Sequence, residues 1–209
     1  MYKIIFALLC AYGVSAAHAG YPRDVVEVLN TTNGMPWGRW GPTQFCKIGT
    51  WASGFRLQVE NPCGKCDDTA LNSVELQCEY RDSQYPSDVT VHSTLGYWGG
   101  WTPWRHCINI PACGRFFLTS YRLDVEPKQG RGDDTAANNI SFMCRGLRIP
   151  AQYTLEGQSP APWGRVKAWS ASCPLGTAIC GIQTKIEAKQ GGGDDTALND
   201  VKMFCCRAD

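Results

Sequence analysis

Asp67-Asp-Thr-Ala-Leu-Asn72 returns as Asp133-Asp-Thr-Ala-Ala-Asn138 and again as Asp194-Asp-Thr-Ala-Leu-Asn199. Each copy has a glutamate seven residues before its first aspartate (Glu60, Glu126, Glu187) and a cysteine eleven residues after it (Cys78, Cys144, Cys205). A polar turn triplicated at fixed internal spacing marks three copies of one supersecondary unit, and units this short bury their apolar faces only against one another. The repeat therefore predicts one domain of three sectors over residues 20–209.

The flanks of the turn alternate. Phe55, Leu57 and Val59 precede the first copy, Tyr121, Leu123 and Val125 the second, and Ile182, Thr184 and Ile186 the third. Val74, Leu76 and Cys78, then Ile140, Phe142 and Cys144, then Val201, Met203 and Cys205 follow them. Period two in β-branched and aromatic residues predicts two half-buried strands per unit, joined by the acidic loop. Glycines in Lys128-Gln-Gly-Arg-Gly132 and Lys189-Gln-Gly-Gly-Gly193 permit positive φ there, and the Asp, Thr and Asn oxygens can satisfy nearby backbone N–H groups. Upstream lies a tryptophan–glycine element (Trp37-Gly38, Trp98-Gly99, Trp163-Gly164), nine or ten residues before a cysteine. Short alternations at Val25–Leu29, Val89–Val91 and Tyr153–Leu155 bring the expected count to four strands per unit, with each tryptophan segment assigned to the hairpin that follows it. No amphipathic helix is legible, so the chain reads as all-β: three antiparallel four-stranded sheets around a shared core.

Residues 1–19 read as a secretory signal peptide, with Lys3, an apolar run over Ile4–Val14 and small residues closing at Ala17-His18-Ala19. That run is shorter than the roughly twenty residues a membrane span takes. The mature chain is thus expected to be secreted and extracellular, with no membrane partner. The formal charge is +1, losing Lys3 brings it to zero, and no basic run occurs, which argues against nucleic acid as a partner.

Twelve cysteines are present, and Cys10 leaves with the leader. In an oxidising compartment the rest default to disulfides. Pairing within each unit predicts Cys46–Cys78, Cys113–Cys144 and Cys173–Cys205. Cys63 and Cys66 replace loop glycines and read as a local bridge, because neither a second C-x-x-C for zinc nor a following helix for redox chemistry exists. Cys107, Cys180 and Cys206 remain, and the odd total leaves one cysteine over.

Three acidic clusters, Glu60 with Asp67, Glu126 with Asp133 and Glu187 with Asp194, have the composition of a glycosidase pair. Catalysis needs one asymmetric pair, however, whereas a repeated fold needs the same acids three times. His92 and His106 sit at unrepeated positions and activate no evident nucleophile, so no enzyme, no metal and no cofactor is expected. Arg131-Gly132-Asp133 is explained by the turn itself. The repeated tryptophans are expected to fill the core. Trp51 and Trp104 break the repeat and are the candidates for a sugar-stacking site, alongside Glu60, Asp67, Glu126, Asp133, Glu187 and Asp194. Asn30 and Asn139 are N-glycosylation acceptors, Asn30 in the more loop-like setting.

The tryptophan–glycine segments and the triple turn resemble the vitelline membrane outer layer protein 1 family, most closely in the final copy from Cys180 through Asp194-Asp-Thr-Ala-Leu-Asn199 to Cys206. The resemblance covers the mature chain. It implies a β-prism of three four-stranded Greek-key sheets with pseudo-threefold symmetry, in a secreted, non-enzymatic structural component of an egg's outer vitelline coat, associated with coat glycoproteins or glycans. That shape is similar to the jacalin-type lectins, which makes the alternative a carbohydrate-binding or transferase-like protein acting on N-acetylglucosamine oligomers.

Overall fold

A computed structural model describes residues 21–61, 69–83, 87–110, 114–126, 136–161, 164, 166–189 and 196–207. In chain order its strands are β1 (Val25–Leu29), β2 (Arg39–Trp40), β3 (Gln44–Phe45), β4 (Thr50–Val59), β5 (Leu71–Tyr80), β6 (Thr90–Val91), β7 (Gly100–Trp101), β8 (Arg105–His106), β9 (Asn109–Ile110), β10 (Gly114–Val125), β11 (Ala137–Gly146), β12 (Gln152–Leu155), β13 (Val166–Trp169), β14 (Thr177–Ile186) and β15 (Leu198–Arg207). No helix occurs among the described residues. The three expected hairpins are β4–β5, β10–β11 and β14–β15.

Each hairpin is the centre of one wall of a β-prism. The first wall runs β6-β5-β4-β7, the second β12-β11-β10-β13 and the third β1-β15-β14-β2. In the first two, three consecutive strands lie side by side and the fourth crosses to the far edge, a Greek key. A short fifth strand joins each wall: β8 on β4, β9 on β10 and β3 on β14. In the first and third walls the extra strand is the same edge strand cut in two at Pro103 and Pro42, whose missing N–H interrupts the ladder.

The inward faces meet in one cluster that includes Phe55, Leu57 and Leu76 from the first wall, Tyr121, Leu123 and Phe142 from the second, and Ile182, Val201 and Met203 from the third. Phe55 and Phe142 pack with ring centroids 4.6 Å apart. Tyr121, the threefold counterpart of Phe55, donates its hydroxyl to the Val201 carbonyl, so the polar atom of a buried ring is satisfied across two walls. Burial pushes its phenol pKa upward.

One sequence expectation is corrected here. The chain after each of the first two hairpins packs on that hairpin and not on the one after it: β6–β8 follow β5 and cover β4–β5, and β12–β13 follow β11 and cover β10–β11. The N-terminal β1–β3 therefore have no earlier hairpin and close on the C-terminal one. The wall and the sequence repeat are out of phase, and the third wall is built from both ends of the chain.

This phase explains the disulfides. Each hairpin has a bulge at the same place, at Ser53, Thr119 and Cys180. The bulge carbonyl turns out of the ladder and accepts the amide of the cysteine ending that wall's edge strand: Cys107 N–H to Ser53 at 2.7 Å, Cys173 to Thr119 at 2.7 Å and Cys46 to Cys180 at 2.8 Å. From there each cysteine reaches the next wall. Cys46–Cys78 joins the third wall to the first, Cys107–Cys144 the first to the second, and Cys173–Cys205 the second to the third. The result is a closed ring of three staples. The expected Cys113–Cys144 pair is corrected to Cys107–Cys144: the bulge carbonyl delivers Cys107, and the β9–β10 hairpin inserted after it makes the spacing to the strand misleading. Cys180–Cys206 is a fourth bridge, within the third wall. Cys63, Cys66 and Cys113 lie outside the described residues.

Candidate functional site

The acidic turns are occupied by their own architecture. Thr69 donates its hydroxyl to Glu60 Oε2 at 2.6 Å, Asn72 Nδ2 donates to Thr69 Oγ1 at 2.7 Å, and Glu60 N–H bonds to the Ala70 carbonyl at 2.9 Å. The third copy repeats this: Thr196 to Glu187 at 2.6 Å, Asn199 to Thr196 at 2.8 Å, Glu187 N–H to Ala197 at 2.8 Å. In the second copy Glu126 N–H bonds to Ala136 at 2.8 Å and Asn138 Nδ2 to the same carbonyl at 3.1 Å. The clamp bends the chain so sharply that Ala70, Ala136 and Ala197 take φ of 51°, 48° and 46°. Left-handed backbone at a non-glycine residue is unfavourable by roughly 1–2 kcal/mol, so the hydrogen bonds are what hold it. Glu60 and Glu187 thus spend a carboxylate oxygen on the turn. Asp67, Asp133 and Asp194 lie outside the described residues, as do Asp68, Asp134, Asp195 and the Arg131-Gly132-Asp133 tripeptide. Among the described residues no group of His, Cys, Asp and Glu is placed to hold a metal ion.

Among the described residues the tryptophans of the repeated segments are not core residues, contrary to expectation: Trp37, Trp40, Trp98 and Trp104 are half-buried and Trp101 is exposed, while Trp163 lies outside the described residues. On the outer faces of the walls, Trp40, Trp101, Trp104 and Trp169 each stand against a cation from a central strand. Lys202 stands 4.3 Å from the Trp40 ring and Arg122 5.4 Å from Trp169. On the first wall the Arg56 guanidinium is shared by two rings, 4.6 Å from Trp101 and 4.8 Å from Trp104. Its Nε donates to Glu75 Oε2 at 2.5 Å, and Thr90 donates to the other oxygen of Glu75 at 2.7 Å. Trp104 also stacks on His106. Trp101 is 36% exposed and Tyr97 is 61% exposed, so this wall presents aromatic surface beside a fixed ion pair. Glycine makes the crossing possible: Gly99 has φ +82°, and a Cβ there would stand 2.1 Å from the Val59 carbonyl oxygen.

The profile of the vitelline membrane outer layer protein I family matches residues 27–208. The chain belongs to that family. It is 40% identical to the human vitelline membrane outer layer protein 1 homolog over 98% of this chain and 95% of the relative, and 39% identical to the mouse homolog over 97% and 94%. Among solved structures, artocarpin in complex with mannopentose aligns with a TM-score of 0.46 at 10% identity, covering 86% of this chain and 96% of that one. The second β-prism domain of RbmC from V. cholerae aligns with a TM-score of 0.40 at 11% identity, covering 84% and 98%. These likenesses are too distant to bear on ligand or chemistry.

In this member of the vitelline membrane outer layer family, two further sequence candidates are placed differently from expectation. Trp51 is 2% exposed. Its ring meets Phe117 edge-on at 6.0 Å, Arg23 lies 5.6 Å from its centroid, and its N–H bonds to the Arg207 carbonyl at 3.2 Å. Trp51 is therefore part of the packing at one end of the prism, where Phe117 and Ala178 are its threefold counterparts, and offers no free sugar-stacking face. Asn139 is half-buried on β11, its amide nitrogen 3.4 Å from the Gly157 carbonyl and its Oδ1 buried, a poor position for a glycan. Asn30 is exposed just after β1. Sequence reasoning passed over Arg56 and Glu75, although a lone Arg/Glu pair at facing outward positions of two alternating strands was a readable signal.

Proposed function

We propose that the chain is exported after loss of residues 1–19 and serves as a non-enzymatic structural protein of an extracellular coat of the vitelline type, associating with coat glycans or glycoproteins through the outer face of its first wall. The observation that carries this reading is the Arg56 guanidinium shared by the Trp101 and Trp104 rings beside Glu75. Sugar rings stack their C–H faces on exposed indoles, and the Arg56–Glu75 pair supplies both donors and acceptors for hydroxyls. The ring of inter-wall disulfides supports service outside the cell, since each staple closes a long loop and contributes on the order of 3–4 kcal/mol.

Titrating intrinsic fluorescence with chitohexaose tests the glycan part: saturable quenching, weakened about tenfold or more in Trp101→Ala, is expected. Unchanged fluorescence at saturating sugar removes the aromatic face as a site. Mass analysis of the same incubation separates coat protein from enzyme. Intact chitohexaose is expected, and cleavage or elongation abolished by Glu187→Gln would replace the structural reading with the carbohydrate-active one.

A further inference from the structure

A cleft of about 410 Å³ opens where the first wall meets the second, lined by Arg81, Asp82, Gly114, Arg115, Leu147, Arg148 and Ile149. Three guanidinium groups against one carboxylate is an unusual concentration in a chain with a formal charge of only +1. The three arginines differ in how they are held. Arg115, on β10, is 7% exposed. One of its terminal nitrogens donates to the Ser83 carbonyl at 2.8 Å, while its buried Nε has no partner among the described residues. Arg81 touches Asp82 at 3.3 Å in a solvent-exposed pair, which is worth little. Arg148 is exposed, with no hydrogen bond or ion pair among the described residues.

The Arg115 Nε is sealed from the cleft, so the donors this side chain can offer a ligand are those of its terminal nitrogens. Its planar fork matches a planar or tetrahedral oxyanion, and two neighbouring arginines can complete the contact. Leu147 and Ile149 add apolar surface beside these charges, and the volume falls in the range of small-molecule sites rather than that of a bare ion. We propose that this cleft binds an acidic oligosaccharide through a sulfate or carboxylate group, with Arg115 as the fixed anchor and Arg81 and Arg148 closing on the ligand from either side. Neither Trp101 nor Trp104 lines this cleft, and it requires no binding by them.

The test is calorimetric titration of the folded, disulfide-intact protein at physiological salt with a sulfated tetrasaccharide, a carboxylated but unsulfated tetrasaccharide, and chitohexaose as the neutral control. Either acidic sugar is expected to bind, the tighter one identifying the oxyanion. Arg148→Gln and Arg81→Gln are each expected to weaken it by about tenfold. Arg39→Gln, on β2 at the opposite end of the prism, and Trp104→Ala should leave it unchanged. Failure of both acidic sugars to bind would overturn the proposal. So would an equal loss in Arg39→Gln, which signals diffuse charge, or a loss in Trp104→Ala, which moves the acidic ligand to the aromatic face. Chitohexaose binding that survives Arg148→Gln belongs to the aromatic face alone and leaves the two proposals separable.

Discussion

The first and third walls solve the same position in opposite ways. Around the bulge of the third wall stand Cys180 and Cys206, bridged, with Phe204 and Phe45 beside them and Tyr21 packed on both rings at 5.1 and 5.6 Å. The counterparts in the first wall are Ser53, Glu79, Gln77 and His106, all polar. Even the small detail matches: Gly181 lies under the Phe45 ring and Gly54 under the His106 ring, where a Cβ would come within 2.5 and 2.4 Å. Glu79 is fully buried, one oxygen accepting the Ser87 N–H at 2.8 Å, and Gln77 spans from the Ser87 carbonyl to His106. The difference follows connectivity. The first wall is made by consecutive chain, so its edge strands arrive by short loops. The third must recruit β1–β3 from the other end of the chain, a closure with a larger entropic penalty, and it carries an additional staple and an aromatic cap.

Phe204→Ala should be the most damaging way to probe that contrast, with a loss of about 3–5 kcal/mol in denaturant unfolding, while Gln77→Ala in the first wall should lose no more than about 1–2 kcal/mol. Equal losses would mean that the two walls are held alike. Next, Ser53→Cys with Glu79→Cys should import the staple. The positions share the 26-residue separation of Cys180 and Cys206, and the chain-entropy gain is about 3 kcal/mol. Two free thiols by mass spectrometry after oxidative refolding would show that the bulges are not equivalent.

Smaller effects test what the walls have in common and where they part. Thr69→Ala and Thr196→Ala each remove a hydroxyl from a glutamate and should each destabilise by about 1–3 kcal/mol; a large disparity would break the equivalence of the turns. The smallest effect concerns His106. Burial lowers its pKa below the ordinary 6.5, Glu79 opposes that shift and Arg115 adds to it. A depressed folded-state pKa means that the fold prefers neutral imidazole, so its contribution is present above pH 6.5 and is lost as pH falls through the lower folded value. Melting temperature should therefore decline on acidification across that window, and His106→Phe, which copies Phe45, should flatten the decline. An unchanged slope would detach His106 from the stability of the wall.

Much of the fold was legible because a β-strand writes its inward face directly into the chain. Phe55, Leu57, Leu76 and their two sets of counterparts are apolar at every position but Thr184, and all are buried. The turns were legible for a related reason: Glu, Thr, Ala and Asn bond to one another within a dozen residues, so local spacing carries the whole motif. The cysteine register was half legible. Cys107 stands nine residues after Trp98 as Cys46 does after Trp37, and that spacing, rather than the distance to the following strand, marks the stapling cysteine.

Repetition of the tryptophans predicts a core role but does not specify one. Covering a wall is as regular a requirement as filling a core: Trp40, Trp101 and Trp169 each rest on a cation of a central strand. For Trp51 the converse holds, because Phe117 and Ala178 hide its threefold relation behind unlike residue types.

The chain alone thus determined three copies, two alternating strands in each, an acidic clamp between them and a supply of cysteines, all of which depend on contacts among residues near in sequence. Only the tertiary structure decided which hairpin each tryptophan segment covers, that three bridges circle the prism from wall to wall, and that Arg81, Arg115 and Arg148 share one cleft. Those relations join residues far apart along the chain, and no local periodicity encodes them.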